Sequence, residues 1–139
     1  MTDLDYAKEW IRISARDYAS AKHLETMHPT PYDVICYLSQ QSIEKSLKAI
    51  LAFNNTVIAK THDIKLLCNQ CKNYTDKVLL DNNIADLITK FATTSRYPDV
   101  MHEFTHEDGK LALKYANQVM KQVKQVLGIS AQAPDTKEQ

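Results

Sequence analysis

The residues best suited to chemistry lie in one short stretch between Ser95 and His102. Here Arg96, Asp99 and His102 bring a guanidinium, a carboxylate and an imidazole within a few residues of one another. Arginine offers forked donors that match phosphate oxygens, and histidine can exchange a proton near neutral pH. The set therefore indicates phosphodiester chemistry, with Asp99 orienting either partner. The alternative is that Arg96 and Asp99 pair to close a loop while His102 is simply exposed.

A second set of polar residues lies on a segment that is otherwise apolar on more than one side. Burying a charge is costly unless the charge is paired, so some of these side chains should have partners or face a groove. If they face a groove, Lys45 and Lys48 are candidate phosphate ligands together with Arg96. The alternative is a solvated helix edge with ordinary ion pairs between neighbouring turns. The members are Gln40, Gln41, Glu44, Lys45 and Lys48.

Cys68 and Cys71 have the spacing of a metal knuckle or a redox pair. A structural zinc site needs about four ligands, and the chain adds only Cys36 and scattered histidines. A redox pair normally lies at a helix N-terminus, whereas these cysteines fall near the end of a short predicted helix. We therefore expect both to be small core residues, and we expect no metal site and no cofactor.

His62 and Asp63 form a further pair at the start of a predicted helix. A helix N-terminus attracts anions, so this pair is a candidate anion site. The alternative gives Thr61 and Asp63 the role of helix-start residues and leaves His62 on the surface.

The elements that position these residues should be helices. The chain has 139 residues, 44% hydrophobic and 24% charged, with only 2 Gly and 4 Pro. Such a length suits one domain, and so few turn-forming residues disfavour a β protein. The 17 basic residues equal the 17 acidic ones, so a nucleic-acid site must be a local patch.

The composition also bears on location. The N-terminus lacks the basic start and apolar run of a signal peptide, and no stretch is long and apolar enough to cross a bilayer. Three cysteines, an odd number, fit reduced thiols better than a disulfide framework. We therefore predict a cytoplasmic protein that does not contact membranes.

Apolar residues recur at helical spacing through most of the chain. The pattern predicts an all-α, up-and-down bundle of four to five helices within a single domain over 1–128, and a polar, disordered tail over 129–139. The second helix should be capped by Thr30 with Pro31 in its first position, and the third should begin at Thr61. The predicted helices span Leu4 to Met27, Pro31 to about Asn54, Thr61 to about Cys71, Asp81 to Ser95 and Thr105 to Gly128.

Six short motifs follow one another along nearly the whole chain, from about Asp5 to Leu127. They are Glu9-Trp10, Ala15-Arg16-Asp17, Tyr32-Asp33-Val34, the run from Gln40 to Ala49, Thr61-His62-Asp63-Ile64 and Arg96-Tyr97-Pro98-Asp99. Together and in this order they resemble the HEPN family.

This resemblance implies a helical bundle of the nucleotidyltransferase substrate-binding-subunit type. It implies a homodimer that works beside a minimal nucleotidyltransferase in a toxin-antitoxin-like pair and binds nucleotide or RNA. In the catalytic branch, an Arg and a His with four to six residues between them form a metal-independent endoribonuclease site across the dimer, and Arg96 and His102 have five residues between them.

Three functions follow as expectations. The first is a module that binds nucleotide or RNA phosphate through Arg96 with Asp99, Lys45 and Lys48. The second is an endoribonuclease in which Arg96 holds the scissile phosphate and His102 transfers the proton. The third is a purely structural dimerisation subunit.

Overall fold

The described residues form five α-helices and one short 3-10 helix. The computed structural model describes residues 1–77, 80–94 and 103–129, and those ranges contain no strand. The predicted all-α architecture is confirmed. The helices are α1 (Asp3–His23), the 3-10 turn (Leu24–Thr26), α2 (Tyr32–Phe53), α3 (Ile64–Cys71), α4 (Asn82–Thr94) and α5 (His106–Leu127).

Helix α5 begins and ends as the sequence predicts. The Thr105 hydroxyl accepts from the Asp108 backbone N–H at 3.1 Å, and the Asp108 carboxylate accepts from the Thr105 N–H at 3.0 Å. This reciprocal capping box satisfies donors that the first helical turn cannot. At the other end Gly128 adopts the left-handed conformation, with φ of 71°, that terminates many helices.

Two predicted helix starts were wrong. The Thr30 hydroxyl donates backwards to the Met27 carbonyl at 2.8 Å, so it does not cap α2. Pro31 takes the N-cap position of α2 with no side-chain cap. Helix α3 starts at Ile64 and not at Thr61, because the Asp63 carboxylate accepts from the Leu66 N–H at 3.1 Å and thereby caps the helix.

Helix α2 is central and packs against the other four α-helices. It runs antiparallel to α1, since Trp10 lies beside Lys48 while Asp17, further along α1, pairs with Lys45. Helix α5 starts beside the start of α2. A larger residue at Gly109 would crowd the Tyr32 ring there, because its Cβ would lie 3.1 Å from Cδ1 of Tyr32.

The core lies around the apolar sides of α2 and includes all three cysteines, which are buried and free. Burial raises the pKa of Cys68 to about 11 and that of Cys36 and Cys71 to about 12. The Cys71 thiol donates to the Leu47 carbonyl at 3.4 Å. The expectation that Cys68 and Cys71 are core residues is confirmed. Within the described ranges no three His, Cys, Asp or Glu side chains cluster as metal ligands would.

Of the predicted tail, residues 130–139 lie outside the described part of the chain. Ile129 is described, and it packs against the core. None of the helices in the described ranges has the length and apolar character needed to span a membrane.

Candidate functional site

A continuous polar network runs along α2 inside the bundle. Residues 40, 44 and 48 are spaced by four and therefore share one face of the helix, with 41 and 45 on the adjoining face. Gln40 is fully buried, Gln41, Glu44 and Lys48 are nearly so, and Lys45 is partly exposed. The prediction that some of these residues have partners is confirmed. The alternative was wrong to expect a solvated edge, but the ion pair that it expected between neighbouring turns is formed by Glu44 and Lys48.

Glu44 is the centre of the network. Its Oε2 accepts from Lys48 Nζ at 2.9 Å, while its Oε1 lies 2.7 Å from His62 Nδ1 and accepts from Gln40 Nε2 at 3.3 Å. Burial alone raises the pKa of this carboxyl, but the hydrogen bonds from His62 and Lys48 outweigh that effect and hold the pKa below its ordinary value. Glu44 is therefore a buried carboxylate at neutral pH.

His62 is held at the surface by this carboxylate. The His62 side chain is 58% exposed, and its backbone carbonyl accepts from Gln40 Nε2 at 3.1 Å. An ionised carboxylate can only accept, so Nδ1 must carry the hydrogen that Glu44 receives. The second ring nitrogen, Nε2, is then left to act as a proton acceptor in the neutral ring or a donor in the protonated ring. The site thus presents an oriented imidazole at the surface.

The sequence indicated that His62 lies either at an anion site or on the surface beside a helix-start Asp63. The surface position and the Asp63 cap are confirmed, but the contact with Glu44 was not predicted. The signal that could have found its role is the pair Gln40 and Glu44, two polar residues four apart on an apolar helix. A buried carboxylate requires donors, and the segment before α3 supplies one in addition to Gln40 and Lys48 of the same helix.

Both predicted phosphate-binding lysines already have carboxylate partners. Lys48 Nζ bonds Glu44 and lies 5.7 Å from the centroid of the Trp10 ring, a cation–π distance. Lys45 Nζ bonds Asp17 at 3.2 Å. The side chains are 9% and 19% exposed, respectively. A phosphate would have to compete with these carboxylates for either ammonium group.

The glutamines join the two halves of the network. Lys45 Nζ donates to Gln41 Oε1 at 3.0 Å, and Gln41 Nε2 donates to Gln40 Oε1 at 2.7 Å. Gln40 in turn donates to Glu44, so hydrogen bonds connect Asp17 on α1 to His62 before α3 without a break. Networks whose members are all satisfied rigidify a core, so the His62 ring is held by a stiff support.

His62 lies beside the middle of α2, where Glu44 is, and near the C-terminal half of α4. The Ile64 N–H donates to the Thr89 hydroxyl at 3.0 Å. Thr89 is five residues before Thr94, the last residue of α4. The chain returns at Glu103, and the Phe104 ring packs edge-on against Phe91 with centroids 5.8 Å apart. The described chain on both sides of residues 95–102 therefore lies by the C-terminal half of α4, which also contacts Ile64. Its predicted site residues Arg96, Asp99 and His102 lie outside the described residues.

Comparison with known proteins agrees with this bundle. The family model described as the HEPN domain matches residues 7–126. The chain belongs to the HEPN family. The crystal structure of an archaeal HEPN homologue superposes with a TM-score of 0.64 at 27% sequence identity, covering 87% of this chain and 97% of that one. No protein of curated function matches significantly.

Proposed function

We propose that this HEPN protein binds the phosphate of a nucleotide or of RNA. It acts with a minimal nucleotidyltransferase partner in a toxin-antitoxin-like pair. The observation that carries the proposal is the His62 imidazole, which is 58% exposed yet fixed by the buried Glu44 carboxylate. Family membership supports a nucleotide- or RNA-related module in general.

Arg96 is the principal phosphate ligand in this proposal, and Asp99 orients its guanidinium. A guanidinium is always charged and binds two phosphate oxygens at once. A protonated His62 adds a donor at Nε2 while Nδ1 stays bonded to Glu44. Lys45, the more exposed of the two lysines, can exchange Asp17 for a phosphate oxygen, whereas Lys48 contributes mainly by keeping Glu44 ionised.

The second candidate is a metal-independent endoribonuclease. His102 takes the proton from an RNA 2′-hydroxyl, whose oxygen attacks the adjacent phosphorus, and Arg96 stabilises the added negative charge. The 5′-oxygen of the next nucleotide leaves with a proton, so the products are a 2′,3′-cyclic phosphate and a free 5′-hydroxyl. The held imidazole of His62 favours this candidate because it is a second group able to deliver that proton.

The proposal also includes a homodimer, since the resemblance implies that the family's site is completed across two copies. Light scattering on the eluting protein would give twice the chain mass of 15.9 kDa if this is right, and the mass of one chain if it is wrong.

The binding proposal is tested by fluorescence anisotropy with a labelled single-stranded RNA and a labelled nucleotide. Hydrogen bonds to a charged group contribute about 1.5–3 kcal/mol, so Arg96→Ala should weaken binding by about tenfold or more. Arg12→Ala is the matched control, because Arg12 is exposed on α1 and pairs only with its neighbour Glu9 within the described ranges. Equal affinities for wild type and Arg96→Ala would refute the assigned role.

The same samples test the enzyme. Incubation with a mixed RNA pool in EDTA should give cleavage that is lost in Arg96→Ala and in His102→Ala. Absence of cleavage by the wild type would exclude ribonuclease activity for the isolated protein and leave the binding module.

A further inference from the structure

A groove on another side of the bundle holds unpaired basic residues. It lies between the second half of α1 and the first half of α5 and has a volume of about 210 Å³. Helix α1 and the turn after it contribute Tyr18, Lys22 and Glu25. Helix α5 contributes Lys110, Lys114 and Asn117 among others. The residues of the α2 network are not in its wall, so the groove is distinct from the site described above.

The charges of the groove do not cancel. Lys22 Nζ pairs with Glu25 Oε1 at 3.1 Å, so those two side chains neutralise each other. Lys110 and Lys114 are exposed, and neither has a carboxylate within ion-pair distance in the described part of the chain. Lys114 Nζ instead lies 5.5 Å from the centroid of the Tyr115 ring. The groove therefore has a net positive charge of two ammonium groups.

The positive charge continues along α5 beyond the groove. Lys110, Lys114, Lys121 and Lys124 are spaced by four, seven and three residues, which places all four on one side of the helix. At 1.5 Å per residue the stripe is about 21 Å long. Residues 109–127 contain no aspartate or glutamate. These four lysines leave 13 basic residues against all 17 acidic ones, so the rest of the sequence carries a net charge of −4 while the stripe carries +4.

The neutral residues of the groove fit a nucleotide better than an acidic peptide. Tyr18 offers an aromatic ring that packs against the core and is therefore held in place, and aromatic rings stack on bases of any sequence. Asn117 offers a donor and an acceptor for ribose or base edges. Lysine ammonium groups bind phosphates as point charges, and a row of them can follow successive phosphates of one strand.

We propose that the α1–α5 groove and the lysine stripe of α5 form a second binding surface, which takes the phosphate backbone of single-stranded RNA. The inference rests on the proposed function in so far as the ligand is RNA. The residues of this surface differ from those of the first site, so an experiment can refute either proposal without refuting the other. Helix α5 begins at His106, three residues after the described chain resumes at Glu103, so the stripe is close in sequence to Arg96 of the first proposed site.

The test measures anisotropy of a fluorescein-labelled 12-nucleotide oligouridine against the full chain over a series of salt concentrations. The groove variant is Lys110→Gln with Lys114→Gln. The control is Lys72→Gln with Lys77→Gln, which removes the same charge from exposed residues near the end of α3. Circular dichroism melts verify that both variants fold as the wild type does.

We expect the groove variant to bind about tenfold more weakly and to lower the salt slope by about 1.4, since each lost contact with single-stranded RNA removes about 0.7. The control should change the affinity less than twofold. Equal losses in the two variants would overturn the proposal, because general electrostatics would then explain both.

Two competitors separate the ligand classes. ATP supplies the same phosphate chemistry without a strand, and a poly-glutamate peptide supplies carboxylates. The proposal predicts that unlabelled oligouridine displaces the probe at a far lower concentration than either; equal displacement by ATP or by poly-glutamate would overturn it. Loss of binding in Arg96→Ala but not in the groove variant would refute this inference and leave the first site standing, and the reverse result would refute the first site alone.

Discussion

The buried ion pair between Glu44 and Lys48 gives the most quantitative prediction. Both side chains are nearly inaccessible, at 3% and 9% exposure, and their charged atoms lie 2.9 Å apart. Removing one partner of such a pair leaves an uncompensated buried charge, which costs about 3–5 kcal/mol. Glu44→Gln should fall toward the lower limit, about 3 kcal/mol, because the amide oxygen still accepts one hydrogen bond and Lys48 keeps its contact with Trp10.

Replacing both charges should cost far less than the two single changes added together. Lys48→Met keeps an unbranched side chain of similar length, and an uncharged pair leaves no buried ion, so the coupling energy in the double variant should be about 2 kcal/mol or more. The measurement is urea unfolding followed by circular dichroism for wild type, both single variants and the double variant.

The matched control cycle uses the exposed pair formed by Arg12 and Glu9, whose side chains are 60% and 53% exposed. Exposed pairs one turn apart contribute about 0.2–0.5 kcal/mol, so its coupling energy should be small. Additive effects in the Glu44 and Lys48 cycle, or single losses below about 0.5 kcal/mol, would refute the account of the network as a tightly coupled buried unit.

Three further predictions concern the scaffold. The difference in unfolding free energy between wild type and Glu44→Gln should be full at neutral pH and should shrink as the pH falls below about 4.5. The reason is that a carboxyl whose pKa is lowered in the folded state loses its stabilising contribution as it becomes protonated. Equal differences in unfolding curves at pH 7 and pH 3.5 would contradict this. Thr105→Ala should destabilise the protein by about 1 kcal/mol and Thr30→Ala by less, since only Thr105 caps a helix; thermal melts in the opposite order would reverse the assignment. All three cysteines should resist iodoacetamide at pH 8 in the native protein and react in urea, because burial and raised pKa values suppress the thiolate form. Rapid labelling of the native protein, detected by mass spectrometry, would contradict the buried placement of the thiols.

The helices could be predicted because each one combines a periodic apolar pattern with local end signals. Thr105, Asp108 and Gly128 act within a few residues of their own positions, so the sequence alone places α5. The helix starts predicted at Thr30 and Thr61 were wrong because neighbouring residues offered competing contacts. The Thr30 hydroxyl donates to the Met27 carbonyl, and the Asp63 carboxylate caps α3.

The site could be predicted only in part because its contacts join distant elements. Spacing along α2 showed that Gln40, Glu44 and Lys48 share a face, and burial costs showed that partners were required. Nothing in the spacing shows that His62 is the residue that reaches Glu44, eighteen positions away. The α1–α5 groove was missed for the same reason, since Lys22 and Lys110 meet only after the bundle has formed.

The most direct test of phosphate binding at the Glu44–His62 site is an NMR titration of the ¹⁵N-labelled protein with single-stranded RNA. We expect chemical-shift changes at the His62 ring and at the backbone of Thr94 and Glu103, whether or not the α1–α5 surface also responds, and we expect Arg96→Ala to remove the changes at these three residues. Changes confined to other faces of the bundle, or a His62 signal that does not respond at saturating RNA, would contradict it.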